Sequence, residues 1–203
     1  MALTGETIGA GDALELGLAD ACFNSAKLAS AWQALGTIRF DRIDASDAIE
    51  QWLTMFSIAT PAALTRATAL IDQYFALKTV LDMVKALEAD ASPWAQHTAA
   101  TLRRRSPLML NVALKQLRQA REGSLADDLR LAYDLMHHCF NPTHLGRTPA
   151  QSEAMEGIRA LAIDKDFAPR WQPARLEEVT PGMVAPFFVS PWGGQAHPLQ
   201  DLD

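Results

Sequence analysis

Two cysteines, Cys22 and Cys139, stand far apart with no CxxC spacing. No disulfide framework or paired-cysteine zinc site is therefore expected, and free thiols in a reducing, cytoplasmic compartment are. Long hydrophobic runs are missing: Asp, Arg, Lys or Gln breaks every candidate well short of the roughly 18–20 apolar residues that span a bilayer, so no membrane partner is expected. The opening Met1-Ala2-Leu3-Thr4-Gly5-Glu6 has no basic stretch ahead of an apolar one, and a secretory signal is not expected either. Positive charge is in deficit, with 18 Lys and Arg against 24 Asp and Glu and a net charge of −6. That balance argues against nucleic acid as a partner, because such binding relies on clustered cations to neutralise phosphates. Trp32, Trp52, Trp94, Trp171 and Trp192 are dispersed rather than interleaved with basic residues, so they read as core anchors and not as a base-stacking platform. There is no internal repeat and no low-complexity tract.

What is present is apolar residue at helical spacing. With 203 residues, 49% of them hydrophobic, the chain is long enough to bury one substantial core or two small ones. Short helices are expected over 7–16, from Ser25 to Gly36, and from Asp44 or Ser46 onward, with Leu18–Phe23 as a short strand and Thr60–Ala63 as a linker. Beyond the linker, caps and stripes coincide. Thr79 with Asp82, Ser92-Pro93, Ser106-Pro107 and Ser124 with Asp127 each mark a helix start. The helix after Ser106 is expected to bury Met109, Val112, Ala113 and Leu117 and to expose Asn111, Lys115, Arg118 and Glu122. The next aligns Leu125, Leu129, Ala132, Met136 and Cys139. A turn-rich loop over 141–152 leads to a last helix over about 153–164, and Pro169, Pro173, Pro181 and Pro186 make the remainder mostly irregular.

Two stretches carry a resemblance. Leu3-Thr4-Gly5 leading a short helix, followed by Gly17-Leu18-Ala19-Asp20, is similar to the "LTG" and "GLAD" segments before the last strand of the crotonase spiral. Glu156-Gly157-Ile158-Arg159-Ala160 through Ile163-Asp164-Lys165-Asp166, then Pro169 and Trp171, resembles the ending of the 3-hydroxyisobutyryl-CoA hydrolases. Between them Leu87-Glu88, Trp94-Ala95, Thr101-Leu102-Arg103, Ser106-Pro107 and Leu114–Arg118 fall in that family's order, so the resemblance runs to about Phe188. The loop over 141–152 is longer than the family's usual connection.

The resemblance implies a mainly α chain, the C-terminal helical part of a crotonase fold with one or two short strands near the N-terminus. Residues 1–60 would be the end of the β/α core with its following helices, 61–190 the helical region and 191–203 a flexible tail. It implies hydrolysis of a short-chain 3-hydroxyacyl-CoA thioester, as in valine breakdown, with no prosthetic group and with the CoA moiety of the substrate as the bound group. The family's glycine-rich oxyanion-hole segments and acidic catalytic residues precede the "LTG" segment. No catalytic residue is therefore assigned here, and the chain alone is expected to be inactive. Its partner would be a crotonase N-terminal half or a second copy; a non-catalytic oligomerisation module and an enoyl-CoA hydratase or isomerase are the alternatives. Lys165 matches the lysine that touches a CoA phosphate in related hydratases and is the one binding residue carried over. The aromatic neighbour in that motif is replaced by Ala162.

Other clusters have plainer readings. Glu153, Glu156, Asp164 and Asp166 lack a glycine-rich turn beside them and are expected on a solvated or salt-bridged face. Arg103-Arg104-Arg105 reads as a solvated helix end rather than an anion site. His137, His138, Cys139 and His144 do not suit a metal, because adjacent helical residues point about 100° apart.

Overall fold

The computed structural model describes residues 1–202, except for the side chains of Thr65 and Arg66. Asp203, the end of the segment expected to be flexible, lies outside the described residues. The chain forms two compact units, one of residues 6–73 with Met1, the other of residues 2–5 with the chain from Tyr74 onward. Both are helical, as the sequence predicts.

The first unit holds α1 (Ala10–Glu15), α2 (Leu28–Leu35), α3 (Ala45–Phe56) and most of α4 (Thr68–Phe75), a helix the sequence pattern did not bring out. Asp44 caps α3 by accepting the Ser46 amide at 2.8 Å. The extended segment expected over Leu18–Phe23 is reduced to one antiparallel bridge, Phe23 with Ser57, reinforced by the Ile58 amide on the Cys22 carbonyl at 2.9 Å. A strand needs a neighbour along its length to take its ladder bonds, and among the described residues Ser57 and Ile58 supply the contacts beside it. Trp52 ties the unit together: its Nε1 donates to the Ala31 carbonyl at 2.8 Å, and its ring meets Phe23 edge-on at 5.2 Å.

The stretch 60–63, expected to be a linker, is pinned to α1 together with Leu64. Buried Asp12 accepts the amides of Ala63 at 2.6 Å and Leu64 at 2.7 Å on Oδ1, and these bonds, Leu64's foremost, hold its carboxyl below the usual carboxylate range. Gly11 permits the approach, since a Cβ there would lie 2.2 Å from the Pro61 carbonyl oxygen.

The second unit holds α5 (Val80–Ala89), α6 (Pro93–Arg104), α7 (Pro107–Gln119), α8 (Leu125–Phe140), α9 (Glu153–Ile158) and α10 (Pro181–Val184). The predicted caps form. Thr79 accepts from Asp82, Ser92 from Ala95 and Ser106 from Met109, the last two with proline at the first helical position. Ser124 and Asp127 bond reciprocally. On α5, Val80, Met83, Val84 and Leu87 are all fully buried, facing α6 through Ala95, Ala99 and Leu102. A second cluster gathers Leu108, Val112, Leu135 and Phe187, each side chain contributing about 1.5–3 kcal/mol by burial.

Two helix faces differ from expectation. On α7, Leu108, Leu110 and Leu114 are buried along with Val112, whereas Leu117 is exposed, because α5 and α10 both pack on it. On α8 most of the expected stripe turns outward, with Leu125 76% and Met136 58% exposed, while its last member, Cys139, packs on the core as expected. The inner face is instead Ala126, Leu135 and His138, set by Leu135 meeting Leu108, Val112 and Phe187. His138 is tolerated inside because its Nε2 donates to the Val189 carbonyl at 2.8 Å.

The tail is held against α8. Trp192 Nε1 donates to Asp134 at 2.7 Å and His197 Nε2 lies 3.1 Å from the same carboxylate. Arg130 donates to the carbonyls of Leu199, Gln200 and Leu202. Composition gave no sign of these long-range bonds.

Candidate functional site

The Glu-Gly-x-Arg-Ala to Asp-Lys-Asp stretch folds into a loop built around one guanidinium. Ser152 caps α9 by accepting the Met155 amide at 3.2 Å, and the helix then widens into a π-turn over Arg159–Ile163. Such widened turns occur often at functional sites. The Arg159 side chain reaches Glu156 (2.7 and 2.9 Å), Asp164 (2.5 Å) and Asp166 (2.7 Å) and donates to the Ala168 carbonyl at 3.1 Å. Glu156 also accepts the Arg170 amide at 2.6 Å. Its pairing with Arg159, followed by that amide, lowers its carboxyl to about 2, and the carboxylates raise the Arg159 guanidinium in turn.

This lattice presents Lys165. The residue sits at φ 56°, with Phe167 at φ 53°, two left-handed positions that cost non-glycine residues on the order of 1–3 kcal/mol each unless their surroundings enforce them. The enforcement is visible: Asp164 and Asp166 on either side are tied to Arg159, the Phe167 amide bonds the Ala160 carbonyl at 3.1 Å, and the Ala168 amide bonds Asp166 at 2.9 Å. Lys165 is exposed, and among the described residues its ammonium has no hydrogen-bonding or ionic partner. Its backbone is held by the loop, and its ammonium faces solvent at the end of a flexible stem.

The loop is anchored from below. Trp171 donates through Nε1 to the Arg104 carbonyl at 3.0 Å and rests on α9 where Gly157 has no side chain, a Cβ there lying 3.4 Å from the ring. Glu153 is ion-paired with Arg147 at 3.5 Å, as the salt-bridged alternative expects, but it is buried rather than solvated. It is 9% exposed, accepts the Ser106 hydroxyl at 2.5 Å and the Gln172 amide at 2.9 Å, and burial raises its carboxyl despite those bonds. Its place directly after cap Ser152 was the available signal, but only the fold brings Ser106 to it. Glu156, Asp164 and Asp166 are salt-bridged, as expected.

The arginine triplet is structural at two of its three members. Arg103 bridges Glu88 and Glu177, each at 2.8 Å. Arg105 donates to the Thr4 carbonyl at 2.8 Å, where Gly5 at φ 69° turns the "LTG" segment against its guanidinium. The histidines gather without forming a metal set, and among the described residues no group of three or more His, Cys, Asp or Glu is placed to hold an ion. His144 lies edge-on to Phe187 at 4.4 Å and to His138 at 4.5 Å. Burial, then the nearby positive charges, pushes it down to about 4. Burial raises the Cys139 thiol to about 11, leaving it inert. No described helix is long and apolar enough to cross a membrane.

Comparison with known proteins agrees with this geometry. Residues 1–188 match the family model described as enoyl-CoA hydratase/isomerase. Among curated proteins, the chain is 30% identical to the small ribosomal subunit protein mS47 of Arabidopsis thaliana, over 93% of this chain and 46% of that protein. It is 29% identical to the mitochondrial 3-hydroxyisobutyryl-CoA hydrolase of Xenopus laevis, over 94% and 48%. Among solved structures, a carnitinyl-CoA dehydratase from Mycobacterium thermoresistibile superimposes with a TM-score of 0.73 at 29% identity, covering 92% of this chain and 49% of that one. An enoyl-CoA hydratase from Rhodobacter sphaeroides 2.4.1 does so with 0.73 at 30%, covering 93% and 50%. The chain thus spans about half the length of the relatives it matches. With the family model covering all but the tail, and the signature loop folded as a unit, the chain belongs to the enoyl-CoA hydratase/isomerase, or crotonase, family.

Proposed function

We propose that this chain is the C-terminal helical part of a 3-hydroxyisobutyryl-CoA hydrolase-like thioester hydrolase of the valine-breakdown type. In this reading it supplies a cover and one phosphate contact, Lys165, to the CoA moiety of the substrate. Thioester hydrolysis needs amide donors aimed at the developing oxyanion and a carboxylate that activates water. The carboxylates of the signature loop are committed to Arg159 and Ser106, so the reading assigns that chemistry to polypeptide outside residues 1–203 and holds the chain inactive alone.

The observation that carries this reading is the outer face of α8. Leu125, Leu129, Tyr133, Met136 and Phe140 recur along one side of the helix and are all exposed. An apolar stripe of this width needs a partner surface, and the matched relatives have as much chain again beyond the matched half. Free Cys22 and Cys139 favour a cytoplasmic setting. A second reading, a non-catalytic module that assembles with partners, is favoured by one relative being named a small ribosomal subunit protein. Purified chain, alone and mixed with the other half of a hydrolase relative, is assayed on 3-hydroxyisobutyryl-CoA and on an enoyl-CoA. Hydrolysis only by the mixture is expected. Turnover by the chain alone overturns the reading, turnover only of the enoyl-CoA makes it a hydratase, and a stable but inactive complex favours the module.

A further inference from the structure

A groove of about 590 Å³ opens on the second unit where the start of α5, the end of α7 and residues 176–184 meet. Its floor is apolar, formed by Leu81, Leu114, Leu176, Val179 and Val184. Leu114 and Leu176 are themselves buried, so the floor belongs to the packed core. One side carries three cations, Lys78, Lys115 and Arg118, on a chain whose net charge is −6.

None of the three forms an ion pair with a carboxylate among the described residues. Arg118 donates to the backbone carbonyls of Lys78 at 2.7 Å and Leu77 at 2.9 Å, which fixes the guanidinium without neutralising it. Lys115 lies 4.0 Å from the centre of the Phe188 ring, a contact that likewise leaves the ammonium positive. Lys78 is exposed at the rim. Two acidic residues share the lining, Glu122 and Glu177, and Glu177 is engaged by Arg103 at 2.8 Å.

We propose that this groove is a binding site for a single-chain amphiphilic carboxylate, its hydrocarbon on the Leu81–Val184 floor and its headgroup on Arg118 with Lys78 and Lys115. The size falls within the range of small-molecule sites, and an apolar floor with a few fixed polar groups at one side is their usual arrangement. Among the described residues no aromatic side chain lines the groove, and the nearby Phe188 ring is capped by Lys115, so a nucleotide would find no open surface on which to stack its base. The site shares no residue with the Lys165 loop and stands or falls independently of the CoA reading.

The test is titration of the full chain with dodecanoate below its micelle concentration, followed by calorimetry and by amide chemical shifts. Saturable binding is expected, with shifts at Leu81, Leu114, Val179 and Val184. Acetate, which lacks the chain, and dodecyltrimethylammonium, which reverses the charge, should bind at least tenfold more weakly. The double variant Lys78→Gln/Arg118→Gln should lose at least tenfold in affinity, with an unchanged circular dichroism spectrum certifying its fold. Leu81→Ser, which alters the floor and leaves the cations in place, provides an independent variant with the same expected direction. Equal binding of the cationic amphiphile, affinity unmoved by both variants, no binding of dodecanoate, or shifts that follow protein dilution because a second copy fills the groove would each overturn the proposal.

Discussion

Residues 6–73 and the chain from Tyr74 onward carry the same kind of helical stripe but bury it differently. In the first unit the apolar side chains that reach full burial among the described residues are those of Ala31 and Ala48, while Trp32 and Met55 are each 72% exposed. In the second, Met83, Leu87, Leu102, Leu108 and Phe187 lie almost wholly inside. The first unit is held by polar and steric pins instead: Asp12 on the amides of Ala63 and Leu64, Trp52 on the Ala31 carbonyl, and Gly11 under Pro61. One unit is thus organised by volume and the other by a few directed contacts, and they should fail differently.

The largest effect is expected where volume dominates. Phe187→Ala empties the centre of the Leu108, Val112 and Leu135 cluster and should cost about 3–5 kcal/mol in chemical denaturation. A cost below about 1 kcal/mol would show that this core is loosely filled. Next comes Gly11→Ala, whose new methyl meets a backbone carbonyl, so that the chain itself must move. The expected loss is about 3 kcal/mol, seen as lost amide-exchange protection in α1 and over 60–64, with α5–α8 retaining theirs. Simultaneous loss of protection in both units would break the comparison.

Acid should separate the units more gently. All five histidines lie beyond residue 73, and His144 is held down to about 4 against an ordinary 6.5, chiefly by burial. The unfolded chain therefore binds more protons than the native one between those values, and stability falls as pH drops through that window. Glu156, lowered to about 2 by Arg159, contributes stability above the usual carboxylate range that is lost as pH falls towards 2. The first unit has no histidine, and its buried carboxylate Asp12 is lowered, so its acid sensitivity begins only in the carboxylate range. Melting followed unit by unit from pH 7 to 3 should show the second unit weakening first, and His144→Phe should flatten the part of its curve between pH 6.5 and 4. An unchanged slope in that variant would remove His144 from the account.

Much of this fold was legible because caps are local. Ser92-Pro93, Ser106-Pro107 and Ser124 with Asp127 mark true helix starts, since each bond closes within three residues. The signature loop was recognised by resemblance, and the salt-bridged reading of its carboxylates holds at Glu156, Asp164 and Asp166, although their convergence on Arg159 was not read from the sequence. What failed was the choice of inner face. Periodicity shows which residues of α8 share a side, but Phe187, some fifty positions away, decides that Leu135 goes inside while Leu125 and Met136 face out. Burial of Glu153 and docking of the tail through Arg130, Trp192 and His197 escaped notice because their partners are equally distant in sequence.

The smallest expected effect is the sharpest probe of the contrast. Trp32 has the size of a core anchor and the spacing of one, with Leu28 a turn earlier, and the sequence pattern would place both inside. At 72% exposure the indole gives up little on truncation, so Trp32→Ala should change stability by no more than about 0.5 kcal/mol. Trp52→Ala in the same unit removes the bond to Ala31 and the edge contact with Phe23 and should cost several times more. If the two substitutions cost the same in urea denaturation, the first unit is held by burial after all, and the distinction between pinned and packed halves is lost.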